Sequence, residues 1–218
     1  VALILGPVVA SAGGLAAVFW FTAVLALVGI VIVLTLVPTP ERGIQHDEVG
    51  TRGNLVWHSL RDANLLRLNF GGFCLHFILM ACFLVVPGLI QGVAGLERDS
   101  HWQVDLPALL LSIAGMVPMM IMAERKGKLR AMFLTAIALV VSALLLVGTA
   151  AVPVVLFLGL WVFFIGFNDL EATLPSLVSK AVYAGGKGTA MGVFSTCQFL
   201  GAFAGGAVGG WLLGLGGP

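Results

Sequence analysis

"VALILGPVVASAGGLAAVFWFTAVLALVGIVIVLTLVPTP", Val1–Pro40, contains no charged side chain. A single helix of that length would measure about 60 Å, twice the ~30 Å thickness of a bilayer core. The stretch must therefore fold back, and Ser11-Ala12-Gly13-Gly14 is the natural point of reversal. Val1–Ala10 then reads as the tail of one span and residues 17–37 as a complete second one. No charged n-region precedes it, so Val1–Leu36 is not a signal peptide. With no initiator Met and an opening directly in apolar sequence, the chain is expected to be a piece of a longer protein.

The rest of the sequence has the same character. Apolar residues make up 60% and charged residues 10%, against roughly 45–50% and about 25% in soluble domains. The expected fold class is an all-α polytopic membrane protein. A net charge of +1, with no basic run, predicts no nucleic-acid partner. Cys74, Cys82 and Cys197 all fall in apolar segments and form no CxxC pair, so neither a disulfide nor a metal framework is expected, and no cofactor.

Six full spans are expected, over about 17–37, 63–90, 105–123, 130–149, 152–180 and 188–213. The loops 38–62, 124–129 and 181–187 then share one side. With the neighbouring helix ends, that side holds Arg42, Arg52, Arg61, Arg67, Arg125, Lys126, Lys128, Arg130, Lys180 and Lys187. The opposite side holds only Arg98. Ten against one accounts for all 11 Lys and Arg residues, and makes the first side cytoplasmic by the positive-inside rule. Loop 38–62 reads as a joint between two bundles, 1–37 and 63–218. Within it, Asn54–Asp62 fits either a short surface helix, with Leu55, Val56 and Leu60 toward lipid and Trp57 as anchor, or an irregular linker.

Glycine is abundant, with 29 in the chain, and it clusters in the last span. Gly201, Gly205 and Gly209 repeat at four-residue spacing, with Gly206 and Gly210 on a neighbouring stripe. Such a stripe lets another backbone approach closely. Leu5-Gly6 followed by Gly13-Gly14 echoes Leu200-Gly201 followed by Gly209-Gly210, as two related halves would.

Three stretches resemble the major facilitator superfamily. Gly6-Pro7 with Gly13-Gly14 resembles the antiporter motif of its fifth helix, at longer spacing than usual. "AERKGKLR", Ala123–Arg130, resembles its short basic inner loop, with Glu124 in place of the usual Asp and Lys128 in place of the usual Arg. "SLVSKAVYAGGKGTAMGVFSTCQFLG", Ser176–Gly201, is similar to the helix ten to eleven region of YajR-type transporters and drug:proton antiporters. The resemblance implies an incomplete bundle running from the end of helix five to helix eleven, without helices one to four and twelve. It implies that helices seven and ten flank a central cavity. It also gives the loop residues Glu124, Arg125, Lys126, Gly127 and Lys128 a part in the conformational switch.

The polar residues inside the spans carry the functional reading. An ionised group at the bilayer centre costs about 2.5–3.5 kcal/mol on insertion scales, so such groups face a cavity or a partner. Counting about 1.5 Å per residue from the nearest basic anchor puts Asp169 and Gln198 about 16 Å deep, and Glu171 and His76 about 13 Å deep. Four polar groups from three helices thus share one level near the midplane, where secondary transporters bind substrate and coupling ion. Asp169 and Glu171 are about 200° apart on a helix and cannot face one point. Asn168 and Glu171 can, so Glu171 with Asn168 is the expected cavity pair, and Asp169 is expected to contact a neighbouring helix or the inner-loop region. Pro175 is expected to kink the helix just below. Trp161 and Phe164, at mid-depth, read either as packing or as a platform for an apolar substrate.

The leading expectation is a proton-coupled transporter of a small, possibly amphipathic molecule, working by alternating access toward export in a bacterial inner membrane. A channel or non-transporting scaffold is the alternative. An intramembrane hydrolase using Ser195 and His76 finds little support, since no G-x-S-x-G surrounds Ser195 and no HExxH occurs.

Overall fold

The computed structural model describes residues 2–38, 53–182 and 186–216, and every described regular element is helical. The loop arginines Arg42 and Arg52 lie outside that range. The chain divides into two compact units, Val1–Gln45 and His46–Pro218. Among the described residues, six helices are long and apolar enough to cross a bilayer, beginning with Ala16–Leu36.

The first unit is α1, Ala2–Leu36. Its helix is interrupted where a reversal was expected: Gly13 and Gly14 leave helical geometry, and Gly14 takes the left-handed region at φ 69°. An L side chain there would be strained, which is why a glycine ends the first segment. The surroundings of Gly6 and Pro7 lie outside the described set.

The second unit holds α2 (Gly53–Arg61), α3 (Ala63–Ala94), a 3-10 turn (Arg98–Ser100), α4 (Trp102–Arg125), α5 (Leu129–Gly148), α6 (Pro153–Ala181) and α7 (Lys187–Gly216). Segment 54–62 is therefore a helix and not an irregular linker. It ends one residue early because Asp62 belongs to the next element. The Asp62 carboxylate accepts from the backbone N–H groups of Asn64 and Leu65 at 2.9 and 3.0 Å and caps α3. On α2, Trp57 and Leu60 are exposed, Val56 is half-buried and Ser59 is buried against the bundle. Arg61 stacks its guanidinium 4.3 Å from the Trp57 ring.

α6 is the centre of the unit. It packs against α3, α4, α5 and α7. Half of its most apolar window is buried, against 17–22% for the other spans of the unit. Its glycines make the approach close. A Cβ on Gly166 would stand 2.7 Å from the Ala136 carbonyl oxygen of α5, and one on Gly159 would stand 2.8 Å from a Val147 methyl. The order of these pairs makes α5 and α6 antiparallel. The core runs from Leu65 and Val178 through Leu174, Leu170, Phe167 and Phe163, with a second apolar layer around Ile90, Ala108 and Leu156. α6 runs as one helix through Pro175. A Pro at that position still cannot return an N–H to the Glu171 carbonyl.

The α7 stripe packs on α3. A Cβ on Gly201 would fall inside van der Waals contact of the Phe73 backbone, one on Gly205 within the Phe77 backbone, and one on Gly209 would lie 3.3 Å from the Ala81 Cα. Contacts that rise four residues at a time on both helices make α3 and α7 parallel, with Phe194 filling the space over Gly72. Between α4 and α5 the chain turns in three residues, Lys126-Gly127-Lys128, with Gly127 at φ 64°. The side chains of Glu124, Arg125, Lys126 and Lys128 are all exposed there. This end of the bundle, which also carries Arg67, Lys180 and Lys187, is called the basic side below.

Candidate functional site

The site is assembled from one polar residue on each of three helices. Glu171 on α6, His76 on α3 and Gln198 on α7 come together at mid-span. Gln198 donates from Nε2 to Glu171 Oε1 at 3.3 Å. His76 Nε2 lies 3.7 Å from Glu171 Oε2, longer than a hydrogen bond and within ion-pair reach. Oε2 itself is shielded and takes no hydrogen bond among the described residues. The side chain as a whole is 40% exposed, against 18% for His76. The carboxyl thus has one oxygen turned into the protein, toward the imidazole, and its stem along an open face.

The histidine tautomer follows from its other contact. His76 Nδ1 lies 3.1 Å from the Gly72 carbonyl oxygen. A carbonyl can only accept, so Nδ1 carries hydrogen. In the neutral ring, Nε2 then presents a lone pair to Glu171. The ring is held against Phe167, centroids 6.2 Å apart.

Asn168 lies one turn before Glu171 on α6. Its Nδ2 donates to Ser112 Oγ on α4 at 2.9 Å, and Ser112 in turn donates to the Leu109 carbonyl. Asn168 and Glu171 line one open recess together with Leu109, Leu110, Ile113, Met116 and Ala172. An apolar wall carrying one amide and one carboxyl suits an amphipathic molecule better than a strongly polar one.

Asp169 is not part of this group. It is 2% exposed, and Oδ1 has no hydrogen-bond partner among the described residues. It follows Gly166, which faces α5, by three residues and Ile165, which packs on Gly115 of α4, by four. Its side of the helix is therefore turned into the bundle. Trp161 and Phe164 pack in the apolar layers, Phe164 edge-on to Phe163, and neither lines the recess. Among the described residues no group of His, Cys, Asp or Glu could hold a metal ion. Sequence reasoning missed three polar residues: Ser112, which is fully buried; Asn69, seven residues before His76 and buried with Oδ1 unpartnered; and Asp105, at the other end of α4.

Residues 1–206 match the family model of the Major Facilitator Superfamily. The chain belongs to this superfamily. It is 40% identical over 216 residues to the inner membrane transport protein YajR of Escherichia coli K12, covering 99% of this chain and 47% of that protein. It is 30% identical over 213 residues to the uncharacterized transporter BU466 of Buchnera aphidicola from Acyrthosiphon pisum, covering 94% of this chain and 53% of that one. The chain thus spans about half the length of the curated relatives it matches. These superfamily relatives are transporters, not enzymes, which removes the hydrolase reading of Ser195 and His76. Thr196, beside Ser195, donates to the carbonyl of Gly192 on its own helix.

Proposed function

We propose that this chain forms part of a secondary active transporter in a bacterial inner membrane, exporting a small amphipathic molecule in exchange for protons by alternating access. The observation that carries the reading is the Glu171–His76–Gln198 cluster, drawn from three helices at mid-span and bordering an apolar recess. Sites built between helices near the midplane are where transporters of this kind hold substrate and coupling ion.

The cluster does this chemistry by competition. With Glu171 ionised, Gln198 steadies Oε1 and the carboxylate offers a counter-charge to the polar or cationic end of a molecule in the recess. With a proton between Glu171 and His76, that counter-charge is cancelled and the molecule is released. One carboxyl serving two ligands in turn gives exchange, because only one of them can be bound at a time. The α4–α6 bond between Ser112 and Asn168 fixes the recess wall. The basic loops lie on the cytoplasmic side by their charge, and the exposed Glu124–Lys128 turn, at the junction of two helices, is positioned to take part in the switch.

The test is flux in proteoliposomes of the full-length protein, with ethidium as an amphipathic cationic probe. The reading expects uphill ethidium movement driven by a pH gradient and abolished when nigericin collapses it. Strictly downhill movement, insensitive to that gradient, would instead support a channel.

A further inference from the structure

On the side away from the basic loops, α4 carries a second carboxyl turned inward. Asp105 sits in the first turn of α4, where an acid is ordinarily exposed and favoured by the helix dipole. Here it lines a mostly enclosed chamber between α3, α4, α5 and α6, with Phe83, Pro87, Phe163 and Phe164 among its walls. Its carboxyl oxygens take no hydrogen bond among the described residues, and its backbone N–H goes to the His101 carbonyl at 3.0 Å.

The charges around it are few. α5 and α6 contribute only apolar carbon to the chamber, and α3 adds the Cys82 thiol as its one ionisable group. Just before its own helix, one turn from Asp105, lies the buried His101 imidazole. With apolar carbon on its chamber side and no donor to its oxygens among the described residues, this half-buried carboxyl is placed to bind and release a proton. Asp105 is also aligned with the site already described. Ser112, two turns on and on the same face of α4, is about 10 Å away along the helix and holds Asn168 beside Glu171. The two acids differ in access: Glu171 borders an open recess, and Asp105 a mostly enclosed chamber toward the other end of α4.

We propose that Asp105 is a second proton-binding site, serving the membrane face opposite the basic loops and working in sequence with Glu171. It takes one proton from water on that face, becomes a neutral acid in the chamber, and gives the proton up when the chamber opens in the other state. Pro87 supplies a place for that opening: it interrupts the α3 hydrogen-bond ladder at the Phe83 carbonyl, next to the chamber.

The inference rests on the proton-coupled reading above, and the experiment separates the two. Dicyclohexylcarbodiimide modifies protonated carboxyls in apolar surroundings. In the full-length protein in membranes, mass spectrometry should find Asp105 labelled at mildly acidic pH, with labelling falling as pH is raised. Asp105→Asn should slow pH-driven uphill ethidium flux by about tenfold or more, while ethidium counterflow, which needs no net proton movement, stays near wild type; Asp105→Glu should restore uphill flux. An Asp105 that resists the reagent at every pH overturns the proposal, and this arm needs no variant to fold. So does an Asp105→Asn protein with wild-type uphill flux, or one whose uphill flux and counterflow fall together and are not restored by Glu. If Asp105→Asn behaves as wild type while nigericin still abolishes uphill flux, the proposal fails and the coupling reading stands.

Discussion

Placing methyl groups on the α7 glycine stripe tests the packing that holds the site together. At Gly205 a Cβ would lie 2.8 Å from both the carbonyl carbon and the Cα of Phe77. Carbon atoms prefer about 3.5–4.0 Å, so α3 and α7 would have to separate locally by about 0.7–1.2 Å. A gap of ~0.5–1 Å already forfeits a quarter to a half of each dispersion contact along the seam. Overpacking of this kind costs about 1–3 kcal/mol at one site. Gly→Ala in a helix returns at most ~1 kcal/mol of that through propensity. Gly201 and Gly205 share the seam, so their costs overlap, and the double Ala variant should lose about 2–3 kcal/mol. For a chain of this size that is a fall of about 4–12 °C in unfolding temperature. Gly206 and Gly210 have nothing within 4 Å of a built Cβ. Their double Ala variant should unfold at or above the wild-type temperature. Intrinsic tryptophan fluorescence during a thermal ramp in detergent reads both. Equal shifts for the two pairs would refute the α3–α7 seam.

Four further outcomes follow from the same geometry. Ser112→Ala removes the acceptor for Asn168 and should cost about 0.6–1.7 kcal/mol, the range for interhelical bonds in membranes, seen as a lower unfolding temperature. His76→Gln should leave ethidium counterflow in place while changing the pH dependence of uphill flux, because it removes the imidazole that shares the Glu171 proton; an unchanged pH profile would take His76 out of the pair. Asp169→Asn should retain uphill flux within about twofold, since it is turned away from the recess and the swap preserves volume. A cysteine at Lys126 should react with a membrane-impermeant maleimide in inside-out vesicles and not in intact cells, if the basic side is cytoplasmic.

Much of this fold was legible because its signals are long and additive. Uncharged runs mark the membrane-length helices, and the basic residues at their ends gather at one end of the described bundle. The four-residue glycine repeat announced a close contact, but not with α3, because spacing on one helix says nothing about which neighbour fills the groove. Height was legible too, since residues count off depth from Lys180, Arg67 and Lys187. Azimuth was only partly so. The 200° between Asp169 and Glu171 separates them in any helix, whereas nothing in the sequence turns His76 and Gln198 toward α6; that depends on packing at Gly72 and along Gly201–Gly209. Ser112 escaped notice because a lone serine bonding its own helix is unremarkable in lipid. Asp105 escaped because it begins the apolar run, where an acid reads as the edge of the membrane; only the fold turns it inward. Asp62 was assigned to the helix before it because a cap looks, in sequence, like the end of one element as much as the start of the next.

The central claim is that Glu171 is the group whose proton is exchanged for substrate. The most direct measurement compares wild type with Glu171→Gln in proteoliposomes of the full-length protein, following ethidium under an imposed pH gradient and, separately, ethidium counterflow at equal pH. The account predicts that the variant keeps counterflow and loses uphill, gradient-driven movement. Uphill movement in Glu171→Gln at the wild-type rate and with the wild-type pH dependence would contradict it.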